Sequence, residues 1–219
     1  RTRVTARQIY VFAHASVLGW ENGRALVMHG IEQLTKKTWL GPDKGFARLL
    51  TREGAVKDPT PDLYDCAFAL LAFAWAHRAA GDSSLLDWAH RTLDFIERHL
   101  RHPGGQGFLN EKPSKGPRKQ NPHMHLLEAA LAAYDASGDE RFAVLAREIA
   151  ALFVEKFYDS KTGTLAEHFD DDWRRAAGDA GRRVEPGHQF EWAWILMEAK
   201  RLLGLDLSTE ARGLVVFAE

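Results

Sequence analysis

One cysteine, Cys66, stands among 219 residues, so no disulfide framework can hold this chain together. It lies in the apolar run YDCAFALLAFAW, where a buried structural thiol is expected rather than an activated nucleophile. Neither sign of charge is in excess. Lys and Arg number 29 against 30 Asp and Glu, a formal net charge of −1, which leaves no electrostatic footprint for nucleic acid or an anionic membrane surface. No segment reaches the roughly 18 uninterrupted apolar residues of a membrane span, and no charged segment followed by an apolar one opens the chain. A neutral small molecule is the partner class these absences favour, and the cytoplasm is the expected location. The first residues, Arg1 onward, read as a helix already under way, so a preceding segment is expected.

What the chain does have is helical periodicity, repeated. In residues 62 to 100 apolar positions recur at helical spacing on either side of Gly81-Asp82. A helix can end at Gly81, which tolerates a left-handed backbone, and the next can start with Asp82 as its cap. Residues 123 to 159 repeat this design, with Gly138-Asp139 falling 57 positions later. In that register Leu70 matches Leu127, Leu85 matches Phe142 and Ala89 matches Ala146. A third copy starts at His188 and turns at Gly204. Stacked helical pairs of this period build an α-solenoid or a closed toroid.

Counted back from each turn glycine, Asp65, His125, His188 and Glu191 all fall near the start of the first helix of their pair. If the first helices run parallel along the inside of a toroid, these residues share one rim. Residues three apart occupy one helix face, so His188 with Glu191 and His125 with Glu128 form two histidine–carboxylate pairs. A neutral imidazole is a natural proton shuttle near pH 7, and a carboxylate can fix its tautomer. Two other chemistries stay open: a di-metal bundle site, for which the further inward glutamates are not apparent, and the paired carboxylates of a glycoside hydrolase, for which Asp65, Glu185 and Glu191 are candidates. Trp192 and Trp194 point apart on a helix, so at least one of them packs in the core. Tyr64 offers an apolar face to a sugar ring, and Arg7 calls for a partner if it is buried. The linkers 101 to 121 and 159 to 186 each lead into a polar helix start, and GTLAEHFDDDW in the second reads as a short hairpin.

The stretches TARQIYVFA, DLYDCAFALLAFAWAHRAAGD, KQNPHMHLLEA and EPGHQFEWAW, in this order, resemble the N-acylglucosamine 2-epimerase superfamily, most closely its mannose isomerase branch. The resemblance implies an all-α (α/α)6 toroid and interconversion of sugars at C1 and C2 without metal or other cofactor. It implies His188, Glu191 and His125 as catalytic residues. Arg7, Tyr64, Asp65, Asn121, Glu128 and Trp192 would contact the sugar, Arg7 steadying an oxyanion and Glu191 orienting the His188 ring. A homodimer is an assembly the family allows. Residues 1–219 would be one domain, about the first two-thirds of a longer barrel, with some eight helices and a second catalytic histidine beyond Glu219. A non-catalytic sugar-binding fragment is the competing expectation.

Overall fold

The computed structural model describes residues 1–219. Four helical hairpins follow one another: α1 (Thr2–Val17) with α2 (Gly23–Gln33), α3 (Leu63–Ala80) with α4 (Ser84–Phe95), α5 (Asn121–Ser137) with α6 (Glu140–Leu152), and α8 (Pro186–Leu203) with α9 (Ser208–Ala218). A short α7 (Gly178–Arg182) lies in the last linker, making nine helices where about eight are expected. The opening helices therefore form a hairpin of their own. The first helix of each pair packs on the first helix of the next, α1 on α3, α3 on α5 and α5 on α8. These four make an inner row, and their partners wrap it from outside.

Composition explains which helix goes inside. Twelve residues of α3 are buried, including Cys66, on nearly every side, as expected of a helix with neighbours all round. The outer α4 and α6 bury one stripe each, Leu85, Ala89 and Leu93 in one and Phe142, Ala146 and Ile149 in the other. The residues matched by the 57-position register thus occupy equivalent core sites. Fifty buried residues form one continuous cluster. At the two ends of the arc apolar side chains stay exposed, Val4 and Val11 on α1 and Phe190, Trp194 and Met197 on α8.

The turn glycines behave as the spacing predicts. Gly81, Gly138 and Gly204 adopt φ of 70°, 69° and 69° and end the inner helices in the left-handed conformation. Asp139 caps α6 by accepting from the Arg141 amide. Asp82 sits one residue further out than expected, because α4 starts at Ser84, whose amide it holds at 2.9 Å.

A second repeat lies in the connections. The outer helices α2, α4 and α6 each end in a five-residue π-helical segment, at Leu34–Thr38, Ile96–Leu100 and Phe153–Phe157. Each segment leads into a short antiparallel return, pairing Trp39 with Phe46, Arg101 with Phe108 and Tyr158 with Leu165. The last of these joins β4 (Tyr158–Asp159) to β5 (Thr164–Leu165). GTLAEHFDDDW consequently does not pair its own two halves, although its last residues turn back so that Phe169 bridges Arg175 antiparallel. Its first half pairs backward with β4, and its second half, β6 (His168–Phe169), pairs with β3 (Arg118–Lys119) of the preceding linker. Strands β1 (Leu49–Leu50) and β2 (Val56–Asp58) pair in the first linker.

The return loops depend on glycine where space and backbone both demand it. Gly45 has φ of 66°, and a Cβ added there would overlap the ring of Phe95, itself 1% exposed. Gly45→Ala is expected to cost about 2 to 4 kcal/mol, the left-handed penalty plus overpacking, read as a lower urea midpoint with unchanged slope.

Candidate active site

Parallel inner helices place their N-terminal turns at one rim, and helical periodicity then stacks polar residues in layers beneath it. The rim layer is Arg3, Tyr64, Asn121 and His188, which line a cavity of about 390 Å³. One turn deeper come Arg7, Phe68, His125 and Glu191, lining a second cavity of about 370 Å³. Below them Tyr10, Leu71, Glu128 and Trp194 continue toward a third, of about 260 Å³. At its far end Arg78 and Arg201 converge on Asp135, tying α3, α5 and α8 together.

His188 is half-buried, and its partner is not the one that three-residue spacing suggests. Its Nδ1 lies 2.9 Å from Oε2 and 3.0 Å from Oε1 of Glu167, whereas Glu191 makes no hydrogen bond to it. Glu167 is 5% exposed and comes from the loop between β5 and β6. Its hydrogen bond holds the imidazole pKa above the ordinary histidine value, against the opposing effect of burial. On the other side of the ring Asn121 Nδ2 stands 2.6 Å from Nε2. Asn121 Oδ1 is buried with no partner in the protein.

His125 does pair as its sequence predicts. Nδ1 lies 3.0 Å from Glu128 Oε2, and the ring is wedged between Tyr64 and Phe68, at centroid distances of 4.9 and 4.6 Å. Arg7 is exposed to the inner cavity with its guanidinium 4.7 Å above the Phe68 ring. It makes no ion pair, and so keeps all its donors for a ligand. Glu191 is exposed in the same cavity.

Two expected sugar contacts lie elsewhere. Trp192 is 0% exposed and stacks on Phe153 at 4.6 Å, so the cavity-facing tryptophan is Trp194, which is 55% exposed. Asp65 is also 0% exposed, because its Oδ1 takes both the amide and Nε of Arg3, at 3.2 and 2.7 Å. Burial raises its pKa, and it acts behind Arg3 rather than on a ligand. With Asp65 withdrawn, the paired-carboxylate reading loses one of its acids. Arg3 bridges on to Asp62 at 3.1 Å and lies 4.3 Å over the Tyr64 ring, which makes it the rim cation.

The loop carrying this rim is anchored from below. His123 is fully buried, its Nδ1 3.0 Å from the Lys119 carbonyl and its Nε2 accepting from the Phe108 amide. Burial depresses its pKa to about 3, which keeps it neutral and purely structural. Arg118 stands 3.4 Å over the Trp173 ring and donates to the carbonyls of Gln106 and Asp171.

Glu167 and Gln120 are the site residues that helix patterns do not reveal, while Arg3, one turn before Arg7 on α1, is one that the pattern offers and the sequence reading omits. A signal for Glu167 exists in the return loops. Two positions after the returning residue, Phe46, Phe108 or Leu165, stand Arg48, Asn110 and Glu167. All three reach the rim: Arg48 pairs with Asp62 and Glu111, Asn110 lines the outer cavity, and Glu167 holds His188.

Comparison with known proteins agrees with this architecture. The profile of the N-acylglucosamine 2-epimerase (GlcNAc 2-epimerase) family matches residues 1–219. A protein of Rhizobium meliloti named mannose-6-phosphate isomerase is 37% identical, over 100% of this chain and 58% of its own length. The D-mannose isomerase of Thermobifida fusca is 33% identical, over 92% of this chain and 53% of its own. A crystal structure of D-mannose isomerase superposes with a TM-score of 0.85 at 27% identity, covering 100% of this chain and 58% of that one. The chain thus spans a little over half the length of the relatives it matches.

Proposed function

The chain belongs to the N-acylglucosamine 2-epimerase family, and from that premise we propose that it carries the acid/base half-site of a sugar isomerase or 2-epimerase acting at C1 and C2. One observation carries the reading: a buried carboxylate occupies the Nδ1 side of His188, so that Nε2, met there by the Asn121 amide alone, stands on the side of a polar cavity of sugar-binding size. Aldose–ketose isomerisation of the mannose–fructose type is the favoured reaction, in keeping with the names of the relatives.

The α-proton of an aldose is weakly acidic, so the base must be held in line with C2 while the carbonyl oxygen is polarised. In this scheme His188 Nε2 takes the proton from C2. The C2–H electron pair becomes the C1–C2 double bond of a cis-enediolate, and O1 takes the negative charge. Arg7, with no ion pair of its own, is the group that steadies this oxyanion, and His125 serves ring opening and the O1/O5 end. Returning the proton to C1, while the O2 hydroxyl proton passes to O1 and O2 becomes the carbonyl, gives the ketose. Returning one to the opposite face of C2 gives the epimer, a step that calls for a second acid/base group. Asn121 suits both states of His188. Its amide nitrogen donates to the neutral ring, and its oxygen, turned inward, accepts from the protonated one. Glu191, Tyr64 and Arg3 are left to bind hydroxyls.

The test is incubation of the full-length protein with mannose in D₂O. Deuterium is expected at C2 of recovered mannose, together with deuterated fructose, and both should persist in EDTA. Mannose recovered without deuterium and without fructose would remove mannose as substrate, and the same result across aldoses would remove the reaction.

A further inference from the structure

We propose that Gln120 and Trp192, neither of which faces the cavity, set the tautomer and basicity of His188; the inference rests on reading His188 as the base. Trp192 lies one helical turn after His188 on α8, and its indole N–H can only donate. It donates to Gln120 Oε1 at 2.6 Å. An amide whose oxygen is engaged there must turn its nitrogen the other way, and Gln120 Nε2 accordingly donates to Glu167 Oε2 at 3.0 Å. The atom of Glu167 that it meets is therefore an acceptor, which favours the carboxylate over the acid. An acceptor-only Glu167 in turn requires the hydrogen of neutral His188 to sit on Nδ1, 2.9 Å away. Nε2 is left with its lone pair, on the side of Asn121 and the cavity.

The donors of this series converge on Glu167: Trp192 and Gln120 from the core side, His188 from the cavity side. The core-side origin of the series is the one group that cannot reverse. Trp192 and Gln120 are 0% exposed and Glu167 is 5% exposed, so no bulk water substitutes for a missing partner. Gln120 and Asn121 are adjacent in sequence, yet they take opposite sides of the ring, Gln120 Nε2 standing 3.3 Å from Nδ1 and Asn121 Nδ2 2.6 Å from Nε2. Trp192 thus has a polar duty in addition to its stacking on Phe153 and its contact with Phe157.

Trp192→Phe keeps an aromatic ring in that stack and deletes only the N–H. Gln120→Met keeps an unbranched side chain and deletes both ends of the amide. Long-range ¹H–¹⁵N imidazole spectra of the 219-residue chain, recorded without substrate, read the result directly. Wild type is expected to show His188 as a single Nδ1–H tautomer above its titration midpoint. Both variants are expected to show a mixture of tautomers and a midpoint moved to lower pH, because Glu167 is then free to become the neutral acid. In an active enzyme kcat should fall about tenfold with KM little changed. Phe157→Leu, a packing change that removes no hydrogen bond of the series, should lower the melting temperature and leave the tautomer alone. Folded variants with the wild-type tautomer and midpoint would overturn the proposal, as would a tautomer mixture in Phe157→Leu. If Trp192→Phe does not fold, Gln120→Met decides. Since the spectrum needs no turnover, failure of the isomerase reading leaves this test intact.

Discussion

His188→Ala is expected to lower kcat for C2 proton exchange by about 10²- to 10⁴-fold, the usual contribution of a positioned acid/base group, while KM for the sugar changes little. The split follows from where the side chain stands. His188 is one of several polar groups on the rim cavity, and Arg3, Tyr64 and Asn121 remain to bind hydroxyls without it. Loss of binding alone, with kcat retained, would mean that His188 recognises the sugar and that the base lies elsewhere. Steady-state kinetics with C2-deuterated mannose checks the assignment. The isotope effect on residual turnover should stay large, since proton abstraction has become still slower.

Glu167→Gln ranks second and makes a more specific statement. The substitution keeps size and hydrogen-bonding capacity and removes the charge. A glutamine can present its N–H to Nδ1, which favours the tautomer whose hydrogen sits on Nε2, the nitrogen that has to be bare. A loss on the order of 10²-fold or more in kcat is expected, by the same logic that makes the orienting carboxylate of a catalytic triad matter. The pH dependence supplies the sign. Glu167 raises the His188 pKa, so the acidic limb of kcat/KM, where the base becomes protonated, lies above the value for an isolated histidine. Without the carboxylate that limb moves to lower pH while the plateau drops. A drop with the limb unmoved would mean that Glu167 only packs. Glu191→Gln is the informative comparison, since Glu191 does not touch the ring, and its variant should leave the limb closer to wild type.

Much of the architecture is legible in the chain before any coordinates. Three glycines at matching places, each followed by an apolar stripe of period 3.6, suffice to predict stacked hairpins, because only glycine takes the left-handed turn without strain and only a stripe buries a helix face. His125 with Glu128 is legible for the same reason: their contact is local, and helix geometry settles it. The same local rule misleads at His188. Its neighbour at the right spacing, Glu191, faces the inner cavity, while the actual partner lies 21 residues away in a loop. Trp192 misleads in the opposite sense. An aromatic beside the histidine proposed as base suggests a sugar platform, but the rotation of α8 turns it into the core and leaves Trp194 outside.

The family, the helical class and the placement of His125 and His188 near the starts of inner helices were thus determined by the sequence alone, since they rest on residue types at spacings that a helix converts directly into shared faces. Tertiary structure decided which carboxylate meets which nitrogen. That choice depends on where the return after α6 sets down Glu167 and on the direction in which Trp192 donates to Gln120, contacts made between elements 47 and 72 residues apart in the chain. Such pairings are set by how helices α5 and α8 and their linkers pack against each other, and local spacing carries no record of that.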